Sequence, residues 1–346
     1  MPTIREVARA ADVSVATVSR VLNNTAAVSP GVRDRVLEVA GRMRYGGAAT
    51  RALTSHMALV YTGPTSLASP YDVAIINGMS EAADAAGLDL LITRLDPGRR
   101  TNESAAQFLN RKGIRGAVLR ATSDTRQVCV ELAREGFPCI VVGERFDDEP
   151  DVSFIYADSR PTSYQAVEHL ISVGHRRIAL VLNQVADNDH QDRLAGYEQA
   201  LGEHGIEVDP RLVVRVGAQR LNGAQVIRTL MSLRDRPTAI FIADPPIAVG
   251  AINQAHEMGV RIPDDVSIIG FDDADTRNDV YPALSAICQD ANRLGYEAAR
   301  ALSQRMQENA DAPVRLVHPT WLELHATVSR PPAVATRVLP DGSRIN

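Results

Sequence analysis

Little in this chain could staple it covalently or hold it in a membrane. Its three cysteines, Cys129, Cys139 and Cys288, stand far apart, with no CxxC pair and no histidine at metal-ligand spacing. Neither a disulfide framework nor a zinc site is written into the sequence, and reduced thiols in a cytoplasm are the expectation. The apolar runs, such as that around Ile240 to Ala243, fall far short of the roughly 20 residues that a membrane-spanning helix needs. The first residues, Met1 to Glu6, hold no apolar signal core, which argues against secretion. Catalytic signatures are missing as well: there is no GxSxG elbow, HExxH, GxxxxGK or GxGxxG. What remains is an ordinary soluble composition, 45% apolar, 23% charged and 4% aromatic over 346 residues, long enough for two or three domains.

The net charge of −5 speaks against a polyanionic partner, but the charge is unevenly spread. Residues 1–55 carry eight arginines against four acidic residues, a local +4 that leaves −9 on the remainder. A small basic head on an acidic body points to nucleic acid, although a solvated basic face would look the same.

The head reads as three short helices. Thr3 and Glu6 form a capping box before Ile4, Val7, Ala8 and Ala11, which share one helical face. After an interruption at Asp12-Val13, Ser14 is an N-cap for a second helix whose inner face is Val18, Val21 and Leu22. Ser29-Pro30 opens a third, with Val32, Val36, Val39, Ala40 and Met43 inward. The outer face of the second helix offers Val15, Ala16, Thr17, Ser19 and Arg20. Methyl groups, hydroxyls and one guanidinium are the chemistry that reads a major groove. Spacing alone also allows a three-helix cap whose surface does nothing.

The run Thr3-Ile4-Arg5-Glu6-Val7-Ala8-Arg9-Ala10-Ala11-Asp12-Val13-Ser14-Val15-Ala16-Thr17-Val18-Ser19-Arg20-Val21-Leu22-Asn23 closely resembles the DNA-binding signature of the LacI/GalR regulator family, and Val28-Ser29-Pro30 with Arg33-Asp34-Arg35-Val36 resembles its third helix. The resemblance implies that Val15, Ala16 and Arg20 face bases of double-stranded DNA. It places Ser14, Thr17, Ser19, Asn23 and Ser29 near phosphates and counts Thr3 among the DNA contacts. Asp12 stands where the family usually has glycine, and aspartate tolerates a left-handed turn better than most residues. Tyr45 is followed by Gly46-Gly47-Ala48-Ala49-Thr50-Arg51-Ala52-Leu53, similar to the family's hinge helix but with its Pro-Asn replaced. Arg51 and Leu53 are the DNA candidates there, Leu53 as a minor-groove wedge or as a linker leucine that packs on the body.

From about residue 58 β-rich runs alternate with helical ones, the pattern of an α/β protein with parallel sheets. Expected strands are 58–61, 88–93, 117–119, 139–142, 178–182, 239–243 and 266–271, and several intervening helices end at glycine, including Gly87, Gly136, Gly174, Gly205 and Gly259. Gly174-His175-Arg176-Arg177-Ile178-Ala179, Arg193-Leu194-Ala195-Gly196-Tyr197 and Ile262-Pro263-Asp264-Asp265-Val266-Ser267-Ile268-Ile269-Gly270-Phe271-Asp272-Asp273 are similar to body motifs of the same family. They imply a two-lobed, periplasmic-binding-protein-like (type I) fold with a ligand between the lobes.

Carried over by position, Arg193 and Asp272 are the effector-binding candidates, a guanidinium and a carboxylate suited to adjacent hydroxyls. Structural salt bridges would use the same residues. Tyr71 is a candidate to stack on a sugar face, or a core residue, and Gln289 is a further candidate. Asp244 replaces the family's usual asparagine, leaving only acceptors. Asp272-Asp273-Ala274-Asp275 looks like an acidic metal cluster at first sight, but no oxygen-rich partner loop accompanies it, so neither metal nor cofactor is expected.

The expected organisation is a helix-turn-helix domain at 1–45, a hinge at 46–57, an effector-binding and dimerisation domain at 58–330 and a flexible tail at 331–346. The N-lobe would comprise about 58–157 and 290–319, the C-lobe about 158–289 and 320–330. The expected function is that of a cytoplasmic, non-enzymatic repressor binding a palindromic operator as a homodimer under control of a small molecule, expected to be a carbohydrate. The alternatives are a regulator that has lost effector binding, a transport-type sugar-binding protein and an enzyme on the same body.

Overall fold

The computed structural model describes residues 3–23, 28–43, 56–63, 67, 69–95, 99, 102–120, 125–185, 187–308 and 312–345. The three amphipathic patterns at the head become α1 (Ile4–Ala10), α2 (Val15–Asn23) and α3 (Pro30–Arg42). Val7, Ala8, Ala11, Val18, Val21, Val36, Val39 and Ala40 form their shared core. The turn between α1 and α2 runs through Asp12 at φ 52°, with the Val13 N–H donating to the Ala8 carbonyl. The aspartate thus does the left-handed work that glycine usually does at a helix end.

The first lobe holds β1 (His56–Tyr61), β2 (Asp89–Arg94), β3 (Ile114–Arg120), β4 (Cys139–Val142) and β5 (Phe154–Asp158), with α4 (Pro70–Ala86), α5 (Ala105–Arg111) and α6 (Thr125–Arg134) between them. The second lobe follows with α7 (Arg160–Ser172), β6 (Ile178–Asn183), α8 (Asn188–Glu203), β7 (Val213–Val216), α9 (Arg220–Ser232), β8 (Ala239–Ile242), α10 (Pro245–Glu257), β9 (Ser267–Asp272) and β10 (Ser285–Cys288). Then α11 (Ala291–Glu308) and β11 (Arg315–Pro319) return to the first lobe, and β12 (Trp321–Glu323) to the second. The two six-stranded sheets run β11-β5-β4-β3-β1-β2 and β12-β10-β9-β8-β6-β7. Every pairing within them is parallel except β10 with β12.

The chain therefore passes between lobes three times. Thr320, in the last passage, places its hydroxyl 3.1 Å from the Asp158 carbonyl and 2.7 Å from Thr162 Oγ1, tying it to the first. Each sheet is covered on both faces, which explains why β4, β8 and β9 are buried throughout rather than alternating, with β4 and β8 entirely apolar. Strands β5, β7, β10, β11 and β12 and helix α11 go beyond the expected elements. Several of these strands are short or lie at sheet edges, where half-exposed residues blur the apolar signal, as in β11.

His175 is completely buried, its ring nitrogens within hydrogen-bond reach of Thr238 Oγ1, Ser267 Oγ and the Ser329 carbonyl. Its motif thus pins α7, β8, β9 and the chain after β12 together. The expected flexible tail is corrected here. Residues 331–345 lie on the second lobe, where β13 (Arg337–Val338) and β14 (Arg344–Ile345) pair antiparallel. Val338 is fully buried, Arg344 ion-pairs with Asp265 at 2.8 Å, and the buried Arg236 donates to the Thr336 carbonyl. The segment lacks helical periodicity, but a single buried valine and three arginine contacts, the third from Arg337 Nε to the Ser232 carbonyl at 2.9 Å, suffice to dock it.

Helices α4 and α11 approach so closely that a Cβ at Gly78 would stand 1.9 Å from the Asn292 carbonyl oxygen, and one at Gly295 2.2 Å from that of Ile75. Neither backbone can yield cheaply. Gly78→Ala is expected to destabilise by about 1–3 kcal/mol, the usual cost of overpacking. Gly202→Ala, a helical position with open space around it, should be neutral or stabilising by up to ~1 kcal/mol. Denaturant midpoints of the two variants against the parent check the contrast.

Candidate functional site

Helix α2 presents an exposed face. Ser14 caps α2 by accepting from the Thr17 N–H at 3.0 Å, and its hydroxyl lies 2.8 Å from Thr17 Oγ1. Val18 and Val21 are buried beneath it, whereas Val15, Ala16 and Arg20 are exposed and Thr17 and Ser19 half-buried. Thr3 is exposed, with its N–H and hydroxyl both donating to the Glu6 carboxylate, and Ser29 is exposed just before α3. Asn23 ends α2, its side chain outside the description. Arg51 and Leu53 also lie outside the described residues.

In the body, the ends of β8 and β9 and the start of α8 bring ionisable groups to the boundary between lobes, where ligands bind in open α/β sheets. Arg193 is buried. Its guanidinium stacks on the Phe271 ring with 3.6 Å to the centroid, donates to the Ala243 carbonyl at 2.6 Å and stands 3.5 Å from Asp189. Its Nε has no hydrogen-bond partner. Burial disfavours its charge, but Asp189, Asp244 and Asp273 hold it above the usual arginine range.

One turn before Arg193, His190 sits between Asp187 at 2.6 Å and Asp244 at 3.1 Å. Burial works against a charged ring, yet the two carboxylates outweigh it and push the imidazole up to about 9. Asp244 thus serves as the second acceptor of a carboxylate–imidazolium–carboxylate bridge, a role the sequence pattern did not reveal. The His190–Asp187 and Arg193–Asp189 pairs, at helical spacings of three and four, were the available signal.

Asp272 and Asp273 divide their labour. Asp272 is buried, with its oxygens taken by the Thr276 N–H at 2.9 Å and Arg277 Nη1 at 2.7 Å. Arg277 also reaches Asp275 and Glu323, so Asp272 anchors the loop after β9. Its neighbour Asp273 faces the cleft, accepts from Gln289 Nε2 at 2.5 Å and is pushed up to about 7 by burial. A cavity of about 390 Å³ opens here between α4 and the 272–277 loop, bordered by Asn77, Asp273, Gln289 and Asn292. That volume falls in the range of small-molecule sites.

From the first lobe Tyr71 reaches in at the start of α4. Arg120 lies 4.2 Å from its ring centroid and ion-pairs with Asp72, so one ring face is occupied, while the phenol oxygen is buried without a partner. Tyr71 is therefore a core residue with a polar tip. The lobes are latched alongside: Arg145 grips Asp192 at 2.9 and 3.1 Å, Tyr156 donates to the same carboxylate, and Asn188 Nδ2 donates to the Arg145 carbonyl. No group of metal-binding side chains occurs among the described residues, and no helix among them is long and apolar enough to cross a membrane.

Residues 3–46 match the model for bacterial regulatory proteins of the lacI family, and residues 167–327 the periplasmic binding protein-like domain. The chain is 31% identical over 312 residues to the ribose operon repressor of Haemophilus influenzae, covering 89% of this chain and 92% of that protein. It is 29% identical to the transcriptional regulator DegA of Bacillus subtilis, over 94% and 98% of the two chains. Among solved structures, a transcriptional regulator CelR–cellobiose complex superposes with a TM-score of 0.70 at 28% identity, over 95% of this chain and all of that one. A lac repressor dimer bound to operator and an anti-inducer superposes at 0.68 and 26%, over 95% and 99%.

The charge arrangement carries a pH signature. His190 stabilises the fold fully below the ordinary histidine value near 6.5, and that contribution is lost as pH rises towards 9. Asp273, ionising near 7 in the fold instead of near 4, adds a loss over the lower part of that range. The thermal midpoint should fall between pH 6 and 9, and His190→Gln should flatten the upper part of the decline. Circular dichroism melts across that range test it.

Proposed function

Because this chain belongs to the lacI family of bacterial regulatory proteins, we propose that it represses transcription as a homodimer on a palindromic operator, with a small polyol or sugar between its lobes setting its affinity for DNA. The observation that carries this reading is the joint presence of an exposed α2 face bearing Val15, Ala16 and Arg20 and a latched lobe boundary that buries unpartnered polar atoms near a small cavity. In this reading Val15, Ala16 and Arg20 contact base edges. Thr3, Ser14, Thr17, Ser19, Asn23 and Ser29 lie against the DNA backbone, which sets register without reading sequence.

One recognition helix spans too few base pairs for a specific site, and two-fold pairing answers that with two half-sites a helical turn apart. Tyr281, 85% exposed, and Leu221, 64% exposed, are apolar side chains that such pairing would cover. Arg51 and Leu53 occupy the hinge, with Leu53 as the wedge into the minor groove.

The effector contacts proposed are Arg193, Tyr71, Asp244, Asp273 and Gln289, with Asp272 holding the loop that presents Asp273. The ribose repressor and the cellobiose-bound regulator among its relatives support a carbohydrate. A ligand binding one lobe arrangement more tightly than the other shifts the population between them and can do no more. The Arg145–Asp192 latch is the contact that lobe opening would break.

Arg20→Ala should weaken operator binding by about 1–3 kcal/mol and relax one base position, measured by fluorescence anisotropy at fixed salt against a scrambled duplex. Equal affinity of the parent protein for both duplexes would overturn the regulator reading. Arg193→Ala should keep operator affinity and lose the effector response, whereas an unchanged response would move the ligand elsewhere.

A further inference from the structure

We propose that the effector of this cleft carries a positive charge, as an amino sugar or comparably small aminated polyol does, rather than being a neutral or phosphorylated sugar. The inference rests on the effector-controlled reading above and names its ligand class.

Five carboxylates converge on the lobe boundary, Glu144 from the first lobe and Asp187, Asp189, Asp244 and Asp273 from the second; Asp187 and Asp189 act on Glu144, and the four aspartates act on Arg193. The cations at their centre are His190 and Arg193, with Arg120 reaching Asp189 and Arg126 reaching Glu144 from the edge. His190 is absorbed by Asp187 and Asp244. Arg120 and Arg126, at the edge, are committed to Asp72 and Asp148. With Asp72 and Asp148 counted, seven carboxylates share these four cations. The cost is visible in the acids, since burial lifts Glu144 to about 7 and, even with the Arg193 guanidinium beside them, Asp273 to about 7 and Asp189 to about 6. An anionic ligand would deepen the imbalance, a neutral one would leave it, and a cation corrects it.

The unpartnered atoms narrow the class. Tyr71 and Arg193 are each more than nine-tenths buried, and both have a polar atom without a partner, the phenol oxygen and Nε. Asp189 Oδ1 is a third such atom. Burial above all raises the Tyr71 phenol above its ordinary value, and Asp189 and Asp273 across the boundary add to that rise. An ammonium supplies three donors for Asp189 Oδ1 and the phenol oxygen, while Arg193 Nε needs an acceptor. A ligand with an amine and hydroxyl or ether oxygens on one small frame satisfies all three. Unsatisfied buried groups of this kind are expensive unless something completes them.

Calorimetric titration of the full-length protein with glucosamine, galactosamine and mannosamine tests the inference, each measured against its parent hexose, its N-acetyl derivative and the corresponding hexose phosphate. At least one amine should bind about tenfold tighter than its neutral counterparts, with the margin shrinking as salt rises. In Asp189→Asn and Asp273→Asn that margin should collapse, while operator affinity is kept and the thermal midpoint without ligand is equal or higher, because a repelling charge has gone. A parent hexose or hexose phosphate that binds as tightly as the amine overturns the charge assignment and leaves the effector reading standing. If no compound binds up to about 10 mM, the charge assignment and the small-polyol effector fall together.

Discussion

The guanidinium of Arg193 is the group around which the cleft is built. Stacked on Phe271 and bonded to the carbonyl at the end of β8, it joins α8, β8 and β9 at one point. Its charge is what makes the surrounding carboxylates tolerable in a buried position. Removing water from a charge costs several kcal/mol unless a partner compensates. Here the compensation is shared: His190 serves Asp187 and Asp244, Arg193 serves Asp189 and Asp273, Arg120 and Arg126 assist from the edge, and the remainder is carried as shifted proton affinity. A site of this kind holds strain in electrostatic form, and a ligand that relieves it binds the closed arrangement preferentially. That preference is what a regulator requires, since an effector indifferent to lobe closure could not alter DNA affinity.

The surrounding architecture gives such a preference somewhere to act. Two doubly covered sheets are rigid bodies, and the three passages between them are short. Thr320 links two of those passages, and on the cleft side the lobes meet through Arg145, Tyr156, Asp192 and Asn188. The helix pairs, brought into close contact at glycines such as Gly78 against Asn292, stiffen each lobe. The docked hairpin at the C-terminal end reinforces the second lobe alone and leaves the boundary free.

Much of the fold was legible before any coordinates. Capping residues and apolar spacing placed all three helices of the head, because local hydrogen bonding and a 3.6-residue period determine a short amphipathic helix. The buried central strands were legible for a similar reason: a strand covered on both faces is a continuous apolar run. Edge strands such as β11 were not, since alternating exposure over five residues hardly differs from a loop. The tail was misread because its anchoring comes from single contacts to distant residues, Arg344 to Asp265 and Arg236 to Thr336, which no local pattern encodes.

The candidate site shows the same division. The sequence by itself determined the chemistry available: which helix faces outward at the head, that Arg193 and the Asp272–Asp273 pair belong to recognisable motifs, and that Asp244 brings a carboxylate to the end of a strand. Only the tertiary structure decided how those groups are used. It turned Asp272 into a loop anchor and Asp273 towards the cavity, set Asp244 opposite Asp187 across His190, and left Tyr71 and Arg193 with buried atoms awaiting partners. The physical reason is that a carboxylate's role depends on which donors and charges lie within a few ångströms. Those neighbours come from strands and helices tens of residues apart, so composition can supply the charges but only folding can pair them.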